Sequence, residues 1–158
     1  MANNSQNIQA SILDRLIDME PQVSREPVQQ RLLSFSQIKA AVVRDLENLL
    51  NTKSQILPVP AALKHVNNSV FVYGLPDFTA HNPKSPSTRQ QLRQDVQRAI
   101  SRFEPRLQNV TVRIEAPTQE ERNIRLKING LLVVDPVAEP VTFDTYFDLN
   151  KGEYKIPK

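Results

Sequence analysis

The chain has 158 residues, 39% hydrophobic and 23% charged, with 20 Lys plus Arg against 17 Asp plus Glu and a net charge of +3. That length and balance suit one globular domain with one modest core and argue against a disordered chain. The basic residues are interleaved with acids instead of massed in the stripe of a nucleic-acid footprint, so nucleic acid is not an expected partner. Cysteine is absent, which excludes a disulfide framework, a thiolate nucleophile and a thiolate metal ligand, and suits a cytosolic protein. The Asn- and Gln-rich start lacks the charged and apolar regions of a secretory signal. No apolar run approaches the roughly 20 residues of a membrane helix, so direct membrane insertion is not expected.

In chain order, residues 1–10 read as a flexible polar tail, followed by a single domain over 11–158. Ile12, Leu13, Leu16 and Ile17 fall at one-turn spacing and predict a short helix over 11–17. Such a helix is too short to stand alone, so it must dock on its own domain or on another protein. Pro21 and Pro27 break the next stretch. Ser34 and Gln37 then have capping-box spacing, and Ile38, Val42, Leu46, Leu49 and Leu50 form an apolar stripe that predicts a core helix over about 37–51.

Residues 51–69 read as a loop with one turn near Ala61 to Lys64, and residues 69–73 as a short strand or turn-flanked apolar segment ended by Gly74 and Pro76. Residues 79–87, with Asn82-Pro83 and Ser85-Pro86, are a loop. Ser87 and Gln90 again fit a capping box, predicting a helix from Ser87 with Leu92, Val96, Ala99, Ile100 and Phe103 on one face. Pro105 disfavours helical backbone at Glu104, so this helix should end near Phe103.

The period then switches to two. Val110, Val112 and Ile114 alternate with polar residues in one strand. Residues 124–134 alternate likewise around Asn129-Gly130, either as a hairpin on that dipeptide or as one long strand; the single strand keeps one face in phase and is favoured, with Gly130 as a bulge or thin spot. Val141, Phe143, Thr145, Phe147 and Leu149 mark a third strand. Asn150-Lys151-Gly152 is a turn into a last short strand over 153–156. Helices first and strands last predict an α+β fold: an antiparallel sheet in the C-terminal half, packed by two main helices, with a short N-terminal helix.

Few residues suggest catalysis. The two histidines, His65 and His81, fall in different loops, and three glycines cannot build a phosphate-binding loop. A carboxylate-pair hydrolase is harder to exclude from spacing, but the chain has no Trp and most of its aromatics, such as Phe143 and Phe147, occupy core-like strand positions. One site breaks local rules. Glu104 puts a carboxylate at a helix C-terminus, unfavourable by about 0.3–1 kcal/mol. Pro105 fixes the turn there, and Arg106 offers a fork suited to a bidentate carboxylate contact, either with Glu104 inside a corner or with another chain.

Several blocks together resemble the TssE family of type VI secretion baseplate proteins, relatives of the small wedge protein of tailed-phage baseplates. They are Ser11-Ile12-Leu13-Asp14-Arg15-Leu16, Arg44-Asp45-Leu46-Glu47-Asn48-Leu49-Leu50-Asn51-Thr52-Lys53, Ser69-Val70-Phe71-Val72-Tyr73-Gly74-Leu75-Pro76-Asp77-Phe78, Glu104-Pro105-Arg106, and the pair Val133-Val134-Asp135-Pro136 and Pro140-Val141-Thr142-Phe143-Asp144. Lys53 departs from the pattern, where Arg is common. The resemblance implies a non-enzymatic, cofactor-free wedge subunit at the cytoplasmic, inner-membrane-attached baseplate. Its implied partners are TssF, TssG and TssK and the TssB–TssC sheath, whose strands the late strands would template by edge pairing. Glu104, Pro105 and Arg106 would anchor the wedge core, with Ile12, Leu13 and Leu16 as a second candidate contact. The family once carried a lysozyme-related label; a peptidoglycan-degrading hydrolase is the alternative, and no residue pattern supports it.

Overall fold

The computed structural model describes residues 8–9, 11–16, 22, 32–79, 81–82, 85–115, 123–135, 137–148 and 151–157. Ile17, Pro21, Pro27, Pro83, Pro136, Leu149, Asn150 and most of the expected tail lie outside them. The fold is α+β, as the order of periods predicts. The chain forms two compact units, Met1–Arg44 and Asp45–Lys158, with the boundary inside a long helix.

In the first unit, β1 (Ile8–Gln9) pairs antiparallel with β2 (Leu32–Leu33). Helix α1 (Ile12–Leu16) follows β1, and α2 (Phe35–Asn51) follows β2 and continues into the second unit. The capping box of α2 forms as read: the Gln37 backbone N–H donates to Ser34 Oγ (3.3 Å), and the Ser34 N–H donates to Gln37 Oε1 (2.8 Å). All five residues of its predicted stripe are buried.

In the second unit, α3 (Lys64–Asn67) and a 3₁₀ turn (Val70–Val72) lead to α4 (Pro86–Phe103). The 69–73 segment is therefore a turn, not a strand. Helix α4 begins before the expected Ser87. Ser85 is its N-cap and Pro86 its first residue, because proline's fixed φ and missing N–H suit the first helical position. Ser87 lies in the first turn, its hydroxyl 2.7 Å from that of Ser85.

Four strands follow in antiparallel order β3-β4-β5-β6: Leu107–Ile114, Asn123–Val134, Val137–Asp148 and Glu153–Lys155. Residues 124–134 are one strand, so Asn129-Gly130 is not a turn. Instead β3 bulges opposite it. Gln108 pairs with Leu131 and Thr111 with Asn129, leaving Asn109 and Val110 to face Gly130. Asn109 takes φ 52°, and a Cβ on Gly130 would lie 3.3 Å from the Gln108 carbonyl oxygen. Strand β5 starts at Val137, earlier than its alternation suggests, and runs through Pro140, which pairs with Leu131.

The inward residues of the sheet, among them Val112, Leu126, Ile128, Phe143 and Phe147, are buried, as are Leu92, Val96 and Ile100 of α4 and Leu46, Leu49 and Leu50 of α2. Strand β6 covers β5 only from Tyr146 to Asp148. The far side of β6 is taken by helix side chains. Asn51 Nδ2 donates to the Tyr154 carbonyl (2.9 Å), Asn51 Oδ1 accepts from the Tyr154 N–H (2.7 Å), and Glu47 accepts from the Ile156 N–H (2.8 Å). A side-chain amide thus does for the edge what a fifth strand would.

Candidate partner-binding sites

The Glu104-Pro105-Arg106 segment forms the corner between α4 and β3. Glu104 leaves helical geometry (φ −120°, ψ 80°) as the C-cap, and its N–H still donates to the Ile100 carbonyl at 2.9 Å. The Leu107 N–H donates back to the Glu104 carbonyl at 3.1 Å, closing a four-residue turn with proline at its second position. The Val133 N–H donates to the Arg106 carbonyl at 2.8 Å and ties the corner to the end of β4.

The side chains close on one another. Arg106 Nε donates to Glu104 Oε1 (2.7 Å), and Arg106 Nη2 donates to Glu104 Oε2 (2.6 Å) and to Asp45 Oδ2 (2.6 Å). The Glu104 side chain is 5% exposed and that of Arg106 23%. The Glu–Arg pair inside the corner, one of the two arrangements the sequence allows, is present. It also resolves the misplaced charge: a carboxylate at the negative end of α4 is held by a guanidinium two residues on. The hydrogen bond to Glu104, and after it that to Asp45, hold the Arg106 guanidinium above its ordinary range against the opposing effect of burial. Tyr73 packs edge-on against Phe103 with ring centroids 5.1 Å apart. Burial first, then the charges of Asp45 and Glu104, push its phenol up. Pro105 is exposed. Asp45 and Tyr73 carry no site signal in the sequence; Asp45 lies 61 residues from Arg106, and no local pattern ties the two.

The other candidate, α1, lies in the first unit. Ser11 caps it: the Asp14 N–H donates to Ser11 Oγ (3.2 Å), and that hydroxyl donates to Asp14 Oδ2 (2.5 Å). Arg44 Nη2 donates to Asp14 Oδ1 at 2.8 Å. The helix is thus tied down by its acid, whose side chain is 11% exposed, while Ile12, Leu13 and Leu16 are between 55% and 76% exposed. An amphipathic helix in water normally presents the opposite face.

Lys53 donates to Asp77 Oδ1 at 2.6 Å. That bond first, then those from the Thr79 N–H and hydroxyl, hold the Asp77 carboxyl well below the usual range. His81 stacks at an angle on Phe78, with centroids 5.5 Å apart. Among the described residues no group of three or more His, Cys, Asp or Glu is placed to hold a metal, and no helix is long and apolar enough to cross a membrane.

No curated protein matches the chain significantly. In a solved structure of the baseplate complex from the type VI secretion system, one chain is similar to this one with a TM-score of 0.49 and 22% identity, over 70% of this chain and 94% of that one. The family model of baseplate wedge protein gp25 matches residues 36–137, from the first turn of α2 through the corner to the start of β5. The chain belongs to the family of the baseplate wedge protein gp25.

Proposed function

We propose that the chain is a TssE-type structural subunit of a type VI secretion baseplate, not an enzyme, in which residues 11–158 act as one wedge domain behind a polar tail. The observation that carries this reading is membership of the wedge family across the segment that contains the corner. In this reading the subunit works on the cytoplasmic side, at a baseplate attached to the inner membrane. It meets TssF, TssG and TssK in the wedge and seats the first TssB–TssC sheath ring.

The corner and α1 serve as its partner contacts. The Glu104–Arg106–Asp45 cluster is a rigid mount: it fixes the exposed Pro105 and the outward edge of the guanidinium for a wedge partner, at little ordering cost on binding. Ile12, Leu13 and Leu16 form an apolar face that a second protein covers. Strand addition by the sheath uses the outer edge of β3 or the stretch of β5 that β6 does not reach, because Asn51 and Glu47 occupy the edge of β6.

The test is co-purification with TssF and TssG. Wild type should be retained, Leu16→Asp should be lost from the complex while melting like wild type, and Pro105→Asp should weaken retention at least about tenfold. Failure of wild type to bind either protein sinks the reading. So does peptidoglycan turnover by the purified chain that a single carboxylate substitution abolishes.

A further inference from the structure

A second group of exposed apolar residues lies on the connection between α2 and α4. Ile56, Leu57, Leu63, Val70 and Phe71 are all exposed, Ile56 to 97% and Val70 to 85%. Five large apolar residues left in water within one short connection are more than scattered surface hydrophobics account for.

The part of this connection that carries Leu63, Val70 and Phe71 is built, not slack. The Leu63 N–H donates to the Pro60 carbonyl (3.0 Å), and Asn67 Nδ2 donates to the same carbonyl (2.9 Å) and to that of Leu63 (3.1 Å). Ser69 Oγ donates to the Val66 carbonyl (2.8 Å) and accepts from the Phe71 N–H (3.3 Å), and the Tyr73 N–H donates to the Val70 carbonyl (3.1 Å). At its end, Gly74 (φ 103°) lies so close to Thr52 that a Cβ would sit 2.3 Å from the Thr52 carbonyl oxygen. Ser54 and Leu75 then clamp the two ends: the Ser54 N–H donates to the Leu75 carbonyl (2.9 Å), and the Leu75 N–H donates to the Thr52 carbonyl (2.8 Å). Val70 and Phe71 therefore stand on a pre-organised turn, the property that lets an exposed apolar residue anchor a partner without a large ordering cost.

The charge around these residues specifies the partner. From Ser54 to Pro76 there is no Asp or Glu, and the basic residues are Lys64 and His65, both exposed. Asp77, just beyond, is already paired with Lys53 at 2.6 Å, so a stretch with exposed apolar residues, a cation and no unpaired anion complements an apolar stripe bordered by carboxylates. A bilayer is a poorer fit. Stable attachment to an anionic membrane takes an amphipathic helix or a cluster of several basic residues, whereas residues 56–71 have two prolines, a four-residue helix and a single lysine. We propose that the 56–71 connection is a docking knob for a second protein, received by an amphipathic helix whose apolar stripe is flanked by Asp or Glu.

The test places the photo-crosslinker p-benzoylphenylalanine at Ile56 or at Val70 of the full chain in producing cells, with Lys127 on the sheet as the control position. Adducts are mapped to the partner peptide by mass spectrometry. Both positions should crosslink to one protein, on a peptide with apolar residues at one-turn spacing and flanking acids. Val70→Asp should cut the yield from position 56 at least about tenfold while the melting curve is unchanged. Adducts on phospholipid, on a second copy of this chain or on a peptide without acidic residues overturn the proposal, as does a yield no higher than at Lys127.

Discussion

Arg106→Ala tests the corner most directly. The substitution deletes three side-chain hydrogen bonds of 2.6–2.7 Å and leaves the Glu104 carboxylate, 5% exposed, facing Asp45 with no cation between them. Removing one partner of a buried ion pair costs about 3–5 kcal/mol, because the remaining charge is stranded. Asp45 is 25% exposed and can turn toward water, so the lower end applies, about 3 kcal/mol. For a chain of this size each kcal/mol moves Tm by about 2–4 °C, so the variant should melt about 6–12 °C below wild type by circular dichroism or calorimetry. Adding Glu104→Gln to Arg106→Ala removes the stranded charge and should recover about half of the loss, roughly 1.5 kcal/mol; the coupling in a double-mutant cycle exceeds that by the cost of Glu104→Gln alone. If Arg106→Ala melts within about 2 °C of wild type, the corner is not held by this cluster, and the argument for a rigid mount under Pro105 fails with it.

Three further sites carry expected outcomes. The Tyr154 hydroxyl is buried without a hydrogen-bond partner among the described residues, so Tyr154→Phe should be neutral or stabilise by up to about 1 kcal/mol in urea titrations. Burial, with Asp77 and Asp95 adding to it, pushes the Tyr154 phenol up. Its folded value lies above its unfolded one, so its contribution is fully present below the unfolded value near pH 10 and is lost as pH rises through the folded one; Tyr154→Phe should flatten that alkaline decline. Asn51→Ala removes both side-chain bonds to the Tyr154 backbone and should cost about 1–3 kcal/mol, with hydrogen exchange at the Tyr154 amide speeding before that of β4. Asp77, which Lys53 holds well below the usual carboxylate range, should stay ionised at acidic pH where other surface carboxylates protonate; Lys53→Met should raise its NMR titration midpoint, and an unmoved midpoint would refute the pairing.

Much of the architecture was legible because local and tertiary preferences agree. The stripe from Ile38 to Leu50 and the Ser34–Gln37 box both specify α2. In β4, Ile124, Leu126, Ile128 and Leu132 keep the same parity across Gly130, which is why one strand wins over a hairpin at Asn129-Gly130. Where the reading slipped, two signals competed. Ser87 has the spacing of a cap, but Pro86 fits the first helical position better and moves the cap to Ser85. Glu139 and Pro140 hide the first four residues of β5, since neither is a residue that strands favour; pairing with β4 overrides them. At the corner, the conflict of Glu104 with the helix dipole flagged the position. Nothing local could point to Asp45, because their meeting is a product of the whole fold. The spacing of Ile12, Leu13 and Leu16 gave a helix, but which face meets water was decided by the Asp14–Arg44 bond.

The bulge of β3 against Gly130 also acts as a check on errors during folding. A β-sheet can mispair by sliding one residue, and each such slip turns every side chain to the wrong face. Here a slip in either direction would bring Asn129 or Leu131, each with a full side chain, to the spot where even the Cβ of alanine would crowd the Gln108 carbonyl. Only one alignment puts the residue without a side chain beneath the extra loop of backbone. The glycine thereby favours one alignment of β3 on β4, since any other residue there must push the Gln108 carbonyl aside by a few tenths of an ångström.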